Sequence, residues 1–328
     1  MRRRDFIRAI AGSAAAWPLA ISAQQSALPV VARLSSTTAD TTSSYAVAFG
    51  KGLNQAGYVE GQNVVIETYG LEGHFERLPA LLDELIRRRV AVIATPGSNP
   101  STLAAKTATT TIPIVFGVGQ DPAAMGLVAS LAHPGGNVTG INYFALEVNA
   151  KRLGLMRELL PKATRYAALV NPRNAPSAEA ATTALKDAAP GLGLDISFFN
   201  ASTPGDIDEA FGAFARDRIE ALFLPADGFL DSRRVQIATL AVRAGLPTSA
   251  ASREMAEAGV LMTYGTNMDD AFRQVGIYVG TILKGTKPAD LPVLQATKFE
   301  FVINLQTAKS TGIDVSPSLL ARADDVIE

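Results

Sequence analysis

The fold class is decided by the stretch VAVIATPGSN at residues 90–99. Its first five residues are all apolar, which is typical of a strand covered on both faces, because a half-solvated strand alternates apolar and polar residues. The polar residues that follow join this strand to a helix beginning near Pro100. All-apolar runs recur at residues 112–116 (IPIVF) and 221–224 (ALFL). Together these runs indicate parallel sheets with helices on both faces.

Strand-like runs continue on both sides of this stretch at a regular interval. Most successive onsets are 22 to 33 residues apart, which fits one strand plus one crossover helix. One intervening helix should begin after Asn267, an N-cap residue followed by two aspartates, and should close at Gly285. The sequence therefore predicts an α/β architecture with right-handed crossovers. The ten onsets lie near residues 30, 63, 90, 112, 137, 165, 194, 219, 246 and 260.

Ten strands are too many for one comfortable sheet, so we expect two lobes. The chain should cross between them near residues 143–147 and again near residues 264–267, through short hinges. Ligands of open α/β sheets bind outside the carboxyl ends of the strands, so the cleft between the lobes is the expected site. The predicted segments are residues 28–144 plus about 265–298 for lobe 1, residues 146–263 for lobe 2, and a C-terminal strand and helix segment, residues 299–328, whose lobe is undetermined.

The N-terminal residues 1–23 are interpreted as an export signal. A basic start is followed by an Ala-rich apolar stretch that contains Pro18, and this stretch is too short and too interrupted to span a bilayer. The residues RRDFIR at positions 3–8 resemble the twin-arginine export pattern. We expect cleavage near Ala23 and a periplasmic location; the alternative is an N-terminal amphipathic helix.

The composition excludes several classes of protein. The chain has 328 residues, of which 48% are hydrophobic and 19% charged, so it is neither disordered nor fibrous. A net charge of −1 offers no basic field for nucleic acid. Without cysteine, and with His74 and His133 as the two histidines, the sequence predicts no disulfide, no thiolate nucleophile and no metal site.

A search for enzyme motifs gives no positive signal. Neither a G-x-S-x-G elbow nor a G-x-x-x-x-G-K-[ST] phosphate loop occurs in the chain. Gly117 and Gly119 form a partial dinucleotide pattern, but the third glycine comes only at Gly126, so a tight turn explains them better. We therefore expect no catalytic residues and no cofactor.

Polar side chains recur directly after the predicted strands in both halves. Hydroxyl, amide and carboxyl groups at helix N-termini suit a polar ligand that carries a carboxylate and an ammonium. Ser98 and neighbouring backbone N–H groups are predicted to hold the carboxylate, and Asp227 the ammonium; the alternatives are ordinary helix caps and, for Asp227, a turn before Gly228. Rings beside strand ends should stack on the ligand or lie in the core. The predicted ligand-binding residues are Ser36, Ser98, Asn99, Gln120, Asp121, Tyr143, Asn171, Asp227, Ser249 and Tyr264.

Several blocks resemble a family of exported substrate-binding proteins that serve ATP-binding-cassette (ABC) importers and include tryptophan/tyrosine-type solute receptors. Asp121-Pro122 followed by GLVASLAHPGGNVTG at residues 126–140 is similar to one block of that family. KGTKPADLP at residues 284–292 and KFEFVIN at residues 298–304 are similar to two others, as is the tail at residues 319–328. The chain departs from the family pattern at Gln120 and Ala123, beside the expected cleft, so the ligand of a relative does not transfer directly to this chain.

The resemblance implies a type I periplasmic binding protein, with two Rossmann-like lobes, a three-stranded hinge and closure on a ligand. The expected function is the capture of a small solute, an amino acid or related carboxylate that includes the aromatic ones, and its delivery to a membrane permease of an ABC importer. We expect a monomer. Two alternatives are an exported cofactor-dependent oxidoreductase and a periplasmic sensor subunit of a membrane kinase.

Overall fold

Two α/β lobes, each built around its own sheet, make up the part of the chain that the computed structural model describes, residues 28–36, 38–143 and 145–328. The predicted export signal at residues 1–23 lies outside these residues. The strands of the described residues are β1 (Val30–Ser35), β2 (Val65–Gly70), β3 (Val92–Pro96), β4 (Ile114–Val118), β5 (Val138–Asn142), β6 (Arg165–Val170), β7 (Asp195–Asn200), β8 (Ala221–Phe223), β9 (Thr248–Ala250), β10 (Met262–Thr266), β11 (Leu294–Gln295), β12 (Phe299–Asn304) and β13 (Asp325–Ile327).

Helices alternate with most of these strands, and four short 3₁₀ helices lie between them at Phe75–Arg77, Pro172–Asn174, Pro190–Leu192 and Pro288–Asp290. The α-helices of the described residues are α1 (Ser44–Gln55), α2 (Leu78–Arg88), α3 (Asn99–Ala108), α4 (Ala145–Leu159), α5 (Ala175–Ala188), α6 (Pro204–Arg216), α7 (Gly228–Ser232), α8 (Arg234–Arg243), α9 (Arg253–Glu257), α10 (Met268–Leu283), α11 (Leu305–Ser310) and α12 (Pro317–Leu320).

The first sheet is parallel throughout and has the strand order β11-β5-β4-β3-β1-β2. Every residue of β3, β4 and β5 is buried, because helices cover both faces of the sheet. This explains the all-apolar runs in the sequence. Helix α10 packs on this sheet beside α1, so close that a Cβ added to Gly52 would lie 1.9 Å from the Arg273 carbonyl oxygen.

The second sheet has the order β13-β12-β10-β9-β8-β6-β7 and is mixed, whereas the sequence predicted parallel sheets only. Strand β12 runs antiparallel to β10, with Phe299 opposite Thr266. The reason is the direction of entry: β10 leaves lobe 2 at the cleft, and the chain returns from lobe 1 through the same edge. A strand that begins where its neighbour ends must run the opposite way.

The sheets show where each segment goes. Residues 30–142 and 294–295 supply the first sheet, and residues 165–266 supply most of the second. The C-terminal segment, residues 299–328, joins the second sheet through β12 and β13, a placement that the sequence left open. The chain therefore passes between the lobes three times, near residues 143–145, 266–268 and 295–299.

The predicted α/β fold with two lobes is confirmed, and each of the ten predicted strand onsets lies within two residues of an observed strand. The Asn267 side chain caps α10 by accepting a hydrogen bond from the Asp270 N–H at 2.8 Å, as its sequence context predicted.

Candidate functional site

The carboxyl ends of the strands of both sheets face one another across a cleft, and the lobes touch at its rim. The Tyr45 hydroxyl of lobe 1 donates to Glu254 Oε2 of lobe 2 at 2.7 Å, and the Ser44 hydroxyl donates to Glu254 Oε1 at 3.4 Å. Gly228 lies so near Ser36 that an added Cβ would be 2.5 Å from the Ser36 hydroxyl oxygen. A small molecule between the lobes would therefore be enclosed from both sides.

Ser98 lies where β3 ends and caps the N-terminus of α3. Its hydroxyl accepts from the Ser101 N–H at 3.3 Å and donates to the Ser101 hydroxyl at 2.7 Å, and the residue is buried. Gly97, just before it, has a φ of +77°, which favours glycine, and lies against the Phe272 ring. Pro100 has no N–H, and the Ser101 and Thr102 N–H groups donate to Ser98, so the Asn99 N–H is the first-turn amide that remains for an anion.

Three more of the predicted site residues form a buried pair, Asn99 and Gln120, and a turn residue, Asp121. The Asn99 side-chain amide donates to Gln120 Oε1, and the Gln120 carbonyl accepts from the Asn142 side chain at 2.6 Å. Asp121 accepts from the Ala123 N–H at 2.8 Å and is exposed. Asp121 thus shapes its own turn, and the Asn99–Gln120 pair holds two strand ends together.

The aromatic pair at the cleft is Tyr45 and Phe272, which the sequence analysis did not single out. Their rings stack in lobe 1 with centroids 4.7 Å apart and planes 22° from parallel. Burial is the main cause that raises the Tyr45 pKa, followed by the nearby Glu254 charge. Because the Tyr45 hydroxyl reaches lobe 2, this pair forms a wall that bridges the opening.

The two predicted ring residues lie deeper. Tyr143 is buried in the core of lobe 1, and its hydroxyl has no hydrogen-bond partner among the described residues. A Cβ added to Gly117 would lie 1.6 Å from that hydroxyl, so only glycine fits there. Tyr264 packs in the core of lobe 2, stacked on Phe299 with centroids 6.2 Å apart. Both positions agree with the core alternative of the sequence analysis.

Asp227 is at the cleft, but its carboxylate is occupied by donors of its own lobe. It accepts from the N–H groups of Phe229 and Leu230 at 2.9 and 3.1 Å. The side-chain amides of Asn171 and Asn174 donate to it at 3.1 and 2.9 Å. This arrangement favours the alternative of a helix cap, here for α7, over a direct contact with a ligand ammonium.

Two further carboxylates, those of Asp231 and Glu254, line lobe 2, and neither was predicted from the sequence. Both residues are half-buried, and Asp231 accepts a hydrogen bond from the Ser252 hydroxyl at 3.1 Å. Burial, and then the Glu254 charge, raise the pKa of Asp231 to about 7. None of the ion pairs of the described residues includes either carboxylate, so this wall carries unpaired negative charge.

Arg152 and Ser249 are fully buried in lobe 2. The Arg152 guanidinium donates to the Leu224 carbonyl at 2.8 Å and lies over the Phe223 ring, and burial lowers its pKa to about 9. Arg152 Nε and the Ser249 hydroxyl have no partner among the described residues. Ser249 is paired in register with Phe223, so it belongs to the buried floor of the lobe rather than to the open cleft.

A different cavity of about 400 Å³ lies on the outside of the hinge, between α1 and the start of α10. Its charged lining residues are Lys51, Arg273 and Lys298 against Asp269 and Asp270, and Arg273 and Lys298 both pair with Asp270, at 2.7 and 2.9 Å. The interlobe cleft is the better candidate for a charged ligand, because Asp231 and Glu254 take part in none of the ion pairs of the described residues and lobe 1 offers the Asn99 N–H.

Comparison with known proteins agrees with this geometry. Residues 28–327 match the family described as ABC transporter substrate binding protein. A relative from Clostridioides difficile (strain R20291), named tyrosine-binding protein, is 27% identical over 263 residues, 80% of this chain and 74% of the relative. The structure of an ABC domain from Streptococcus pneumonia in complex with L-Trp superposes with a TM-score of 0.81 at 23% identity, covering 92% of this chain and 100% of that one. A conserved domain protein from Vibrio cholerae gives a TM-score of 0.82 at 26% identity over 91% and 99% of the two chains.

Proposed function

Because the chain belongs to the family of ABC transporter substrate-binding proteins, we propose that it captures an aromatic amino acid in the interlobe cleft and delivers it to the permease of an importer. The observation that carries the choice of ligand is the contrast between the two walls. Lobe 2 presents the carboxylates of Asp231 and Glu254, which take part in none of the ion pairs of the described residues, whereas lobe 1 presents the Asn99 N–H at the start of α3.

Family membership confirms the predicted class, a substrate-binding protein of an ABC transporter, and with it the expectation that the chain is not an enzyme. The ligand, the permease partner and the periplasmic location are parts of the proposal. Among the described residues, no helix combines the length and the apolar character needed to cross a membrane.

The walls suit the two charges of an amino acid. An ammonium is stabilised by a nearby carboxylate that no cation of the protein neutralises, and a carboxylate by the N–H groups at a helix N-terminus. The Tyr45–Phe272 stack supplies an aromatic face on which a planar side chain can extend the stack. The tyrosine-binding relative and the L-Trp complex support the aromatic class.

Closure follows from the distribution of these groups over both lobes. A ligand that contacts lobe 1 and lobe 2 at once favours the closed form, and the permease distinguishes that form from the open one. Shifting the equilibrium from 1:99 to 99:1 takes about 5.5 kcal/mol of differential binding. Two or three charge-assisted hydrogen bonds, at roughly 1.5–3 kcal/mol each, supply that amount.

The test is a thermal-shift screen followed by calorimetry. A ligand at 100 times its Kd adds about 2.7 kcal/mol of stability, which is roughly a 5–10 °C rise in Tm for a protein near this size. L-tyrosine, L-tryptophan and L-phenylalanine should give this shift, and sugars should not. A shift with sugars or metal ions alone would refute the proposal.

Export has its own test. Replacing the two adjacent arginines of the twin-arginine pattern, Arg3→Lys and Arg4→Lys, should leave the protein inside the cell if a twin-arginine route carries it. Cell fractionation and immunoblotting measure the result, and a variant that still reaches the periplasm would argue for another export route.

A further inference from the structure

Asp231 occupies a position from which it faces the other lobe. It lies in α7, the helix whose first residue, Gly228, touches Ser36 across the cleft. Its one side-chain hydrogen bond among the described residues comes from the Ser252 hydroxyl, at 3.1 Å. The carboxylate therefore keeps acceptor capacity that its own lobe does not use.

The neighbouring carboxylates are committed elsewhere. Asp227, one turn earlier, accepts from four donors of lobe 2. Glu254 accepts from the Tyr45 and Ser44 hydroxyls and thereby links the lobes. Its neighbour Arg253 is engaged by three carboxylates on the outer side. Of the three acids at this wall, Asp231 has the most freedom to accept from a ligand.

Buried donors with no protein partner give a second, independent indication of a polar ligand. The Tyr143 hydroxyl, in the core of lobe 1 beside Gly117 of β4, is buried with no partner among the described residues. Arg152 Nε in lobe 2 is also buried without a partner, and the Arg152 and Asp231 charges act on one another. Buried polar groups are as a rule satisfied by protein, water or ligand.

We propose that Asp231 binds the ammonium group of the ligand and is the residue that makes the cleft prefer amines over deaminated analogues. This assignment rests on the proposed function and replaces Asp227 as the predicted ammonium contact. An ammonium matches the site better than a metal ion does, because the described residues contain no group of three or more His, Cys, Asp and Glu side chains able to hold one.

The assignment also makes capture depend on pH. The burial that raises the pKa of Asp231 to about 7 leaves much of it protonated in slightly acidic solution. A protonated carboxyl offers the ammonium no charge, so affinity should fall as the pH drops through this range. Only the ionised fraction of Asp231 can bind the ammonium, and with a pKa of about 7 that fraction is about tenfold smaller at pH 6 than at pH 8. The Kd should therefore be about tenfold higher at pH 6. The groups that face Asp231 are Asp227 and Arg234 beside it in sequence, Ser252 and Glu254 on the following segment, Tyr45 from lobe 1 and Arg152 from α4.

The experiment measures Kd by calorimetry for L-tyrosine and for its deaminated analogue, 3-(4-hydroxyphenyl)propanoate, at pH 6 and pH 8. Wild type should bind L-tyrosine more than tenfold tighter than the analogue at pH 8. Asp231→Asn should bind the two within threefold of each other and lose the pH dependence. Asp217→Asn, an exposed aspartate at the end of α6, is the matched control and should behave like wild type.

The outcomes separate this inference from the proposed function. Wild type that binds L-tyrosine and an Asp231→Asn variant with unchanged discrimination would overturn the role of Asp231 alone. Wild type that binds neither L-tyrosine nor L-tryptophan would overturn both. Asp231→Asn also removes a half-buried charge that has no ion-pair partner among the described residues, so the ligand-free variant should melt no lower than wild type at pH 8. Asp231→Ser serves as the second variant if it does melt lower.

Discussion

Gly228→Ala should weaken ligand binding and leave both lobes folded, because the atoms in the way of the added methyl belong to the other lobe. A Cβ on Gly228 would lie 2.5 Å from the Ser36 hydroxyl oxygen and 3.2 Å from the Ser36 Cβ. Beyond its chain neighbours and its own helix, no other described atom lies within 4 Å of it. The φ of Gly228 is not positive, so alanine fits the backbone of lobe 2 without strain.

The size of the effect follows from these two distances. The Ser36 hydroxyl can rotate away, but its Cβ is fixed to the chain, so the tight 3.2 Å contact remains in the closed form. Overpacking costs about 1–3 kcal/mol of stability. Because a single methyl meets a single movable neighbour here, we expect the closed form to lose about 1–2 kcal/mol, the lower part of that range. Because only the closed form is affected, Kd should rise roughly 5- to 30-fold.

Calorimetry with L-tyrosine or L-tryptophan gives the Kd, and thermal unfolding of the ligand-free protein reports on the lobes. The double variant with Ser36→Gly removes both opposing atoms and should restore most of the lost affinity. Gly212→Ala, at an exposed position of α6 in the same lobe, should change neither quantity by much. Unchanged affinity in Gly228→Ala, or a loss that Ser36→Gly does not reverse, would refute this account of closure.

Three further variants test other contacts of the cleft. Tyr45→Phe keeps the ring stack and loses the interlobe hydrogen bond to a carboxylate, so dissociation measured by stopped flow should be about tenfold faster or more; an unchanged rate would mean that the bond does not stabilise closure. Gly117→Ala places a methyl 1.6 Å from the Tyr143 hydroxyl and should lower the Tm by several degrees, whereas Gly136→Ala, with no atom within 4 Å, should not. Asp227→Asn replaces an acceptor of four hydrogen bonds by a group that accepts on one side only, so the ligand-free protein should lose about 1–3 kcal/mol of unfolding free energy and melt at a lower temperature. An unaltered Tm together with more than tenfold weaker amine binding would restore Asp227 as the ligand contact.

Much of the fold could be predicted because its determinants are local. Buried parallel strands need apolar residues at every position, and crossover helices set the interval between strands, so the ten onsets could be located to within two residues. The short strands β11 and β13 were missed because β11 is exposed and β13 half-buried, so neither needs the apolar run that marked the equally short but buried β8. The antiparallel β12 depends on the edge at which the chain re-enters lobe 2, which no local pattern records.

The candidate site could be predicted less well, for a physical reason. Residues directly after a strand face the cleft, but they are also the residues that cap the next helix, as Ser98 and Asp227 do. Their side chains are then occupied by backbone N–H groups. The carboxylates that face the other lobe lie inside the following helices: Asp231 comes one turn after its cap, and Glu254 is the second residue of α9. The Tyr45–Glu254 bond joins residues 209 positions apart, and that pairing exists only in the folded protein.

The same two acids explain why an empty cleft should resist closing and a filled one should not. Asp231 and Glu254 repel one another, and the pKa of Asp231 is raised first by its burial and then by the Glu254 charge. An ammonium placed against Asp231 removes the repulsion, and Tyr45 can then hold Glu254 from lobe 1 at little electrostatic cost. The ligand's charge and the interlobe hydrogen bond thus favour the same closed form. A ligand lacking the amine would have to close the lobes against the charge of lobe 2, so such a ligand should leave the protein mostly open even where its ring fits the Tyr45–Phe272 stack.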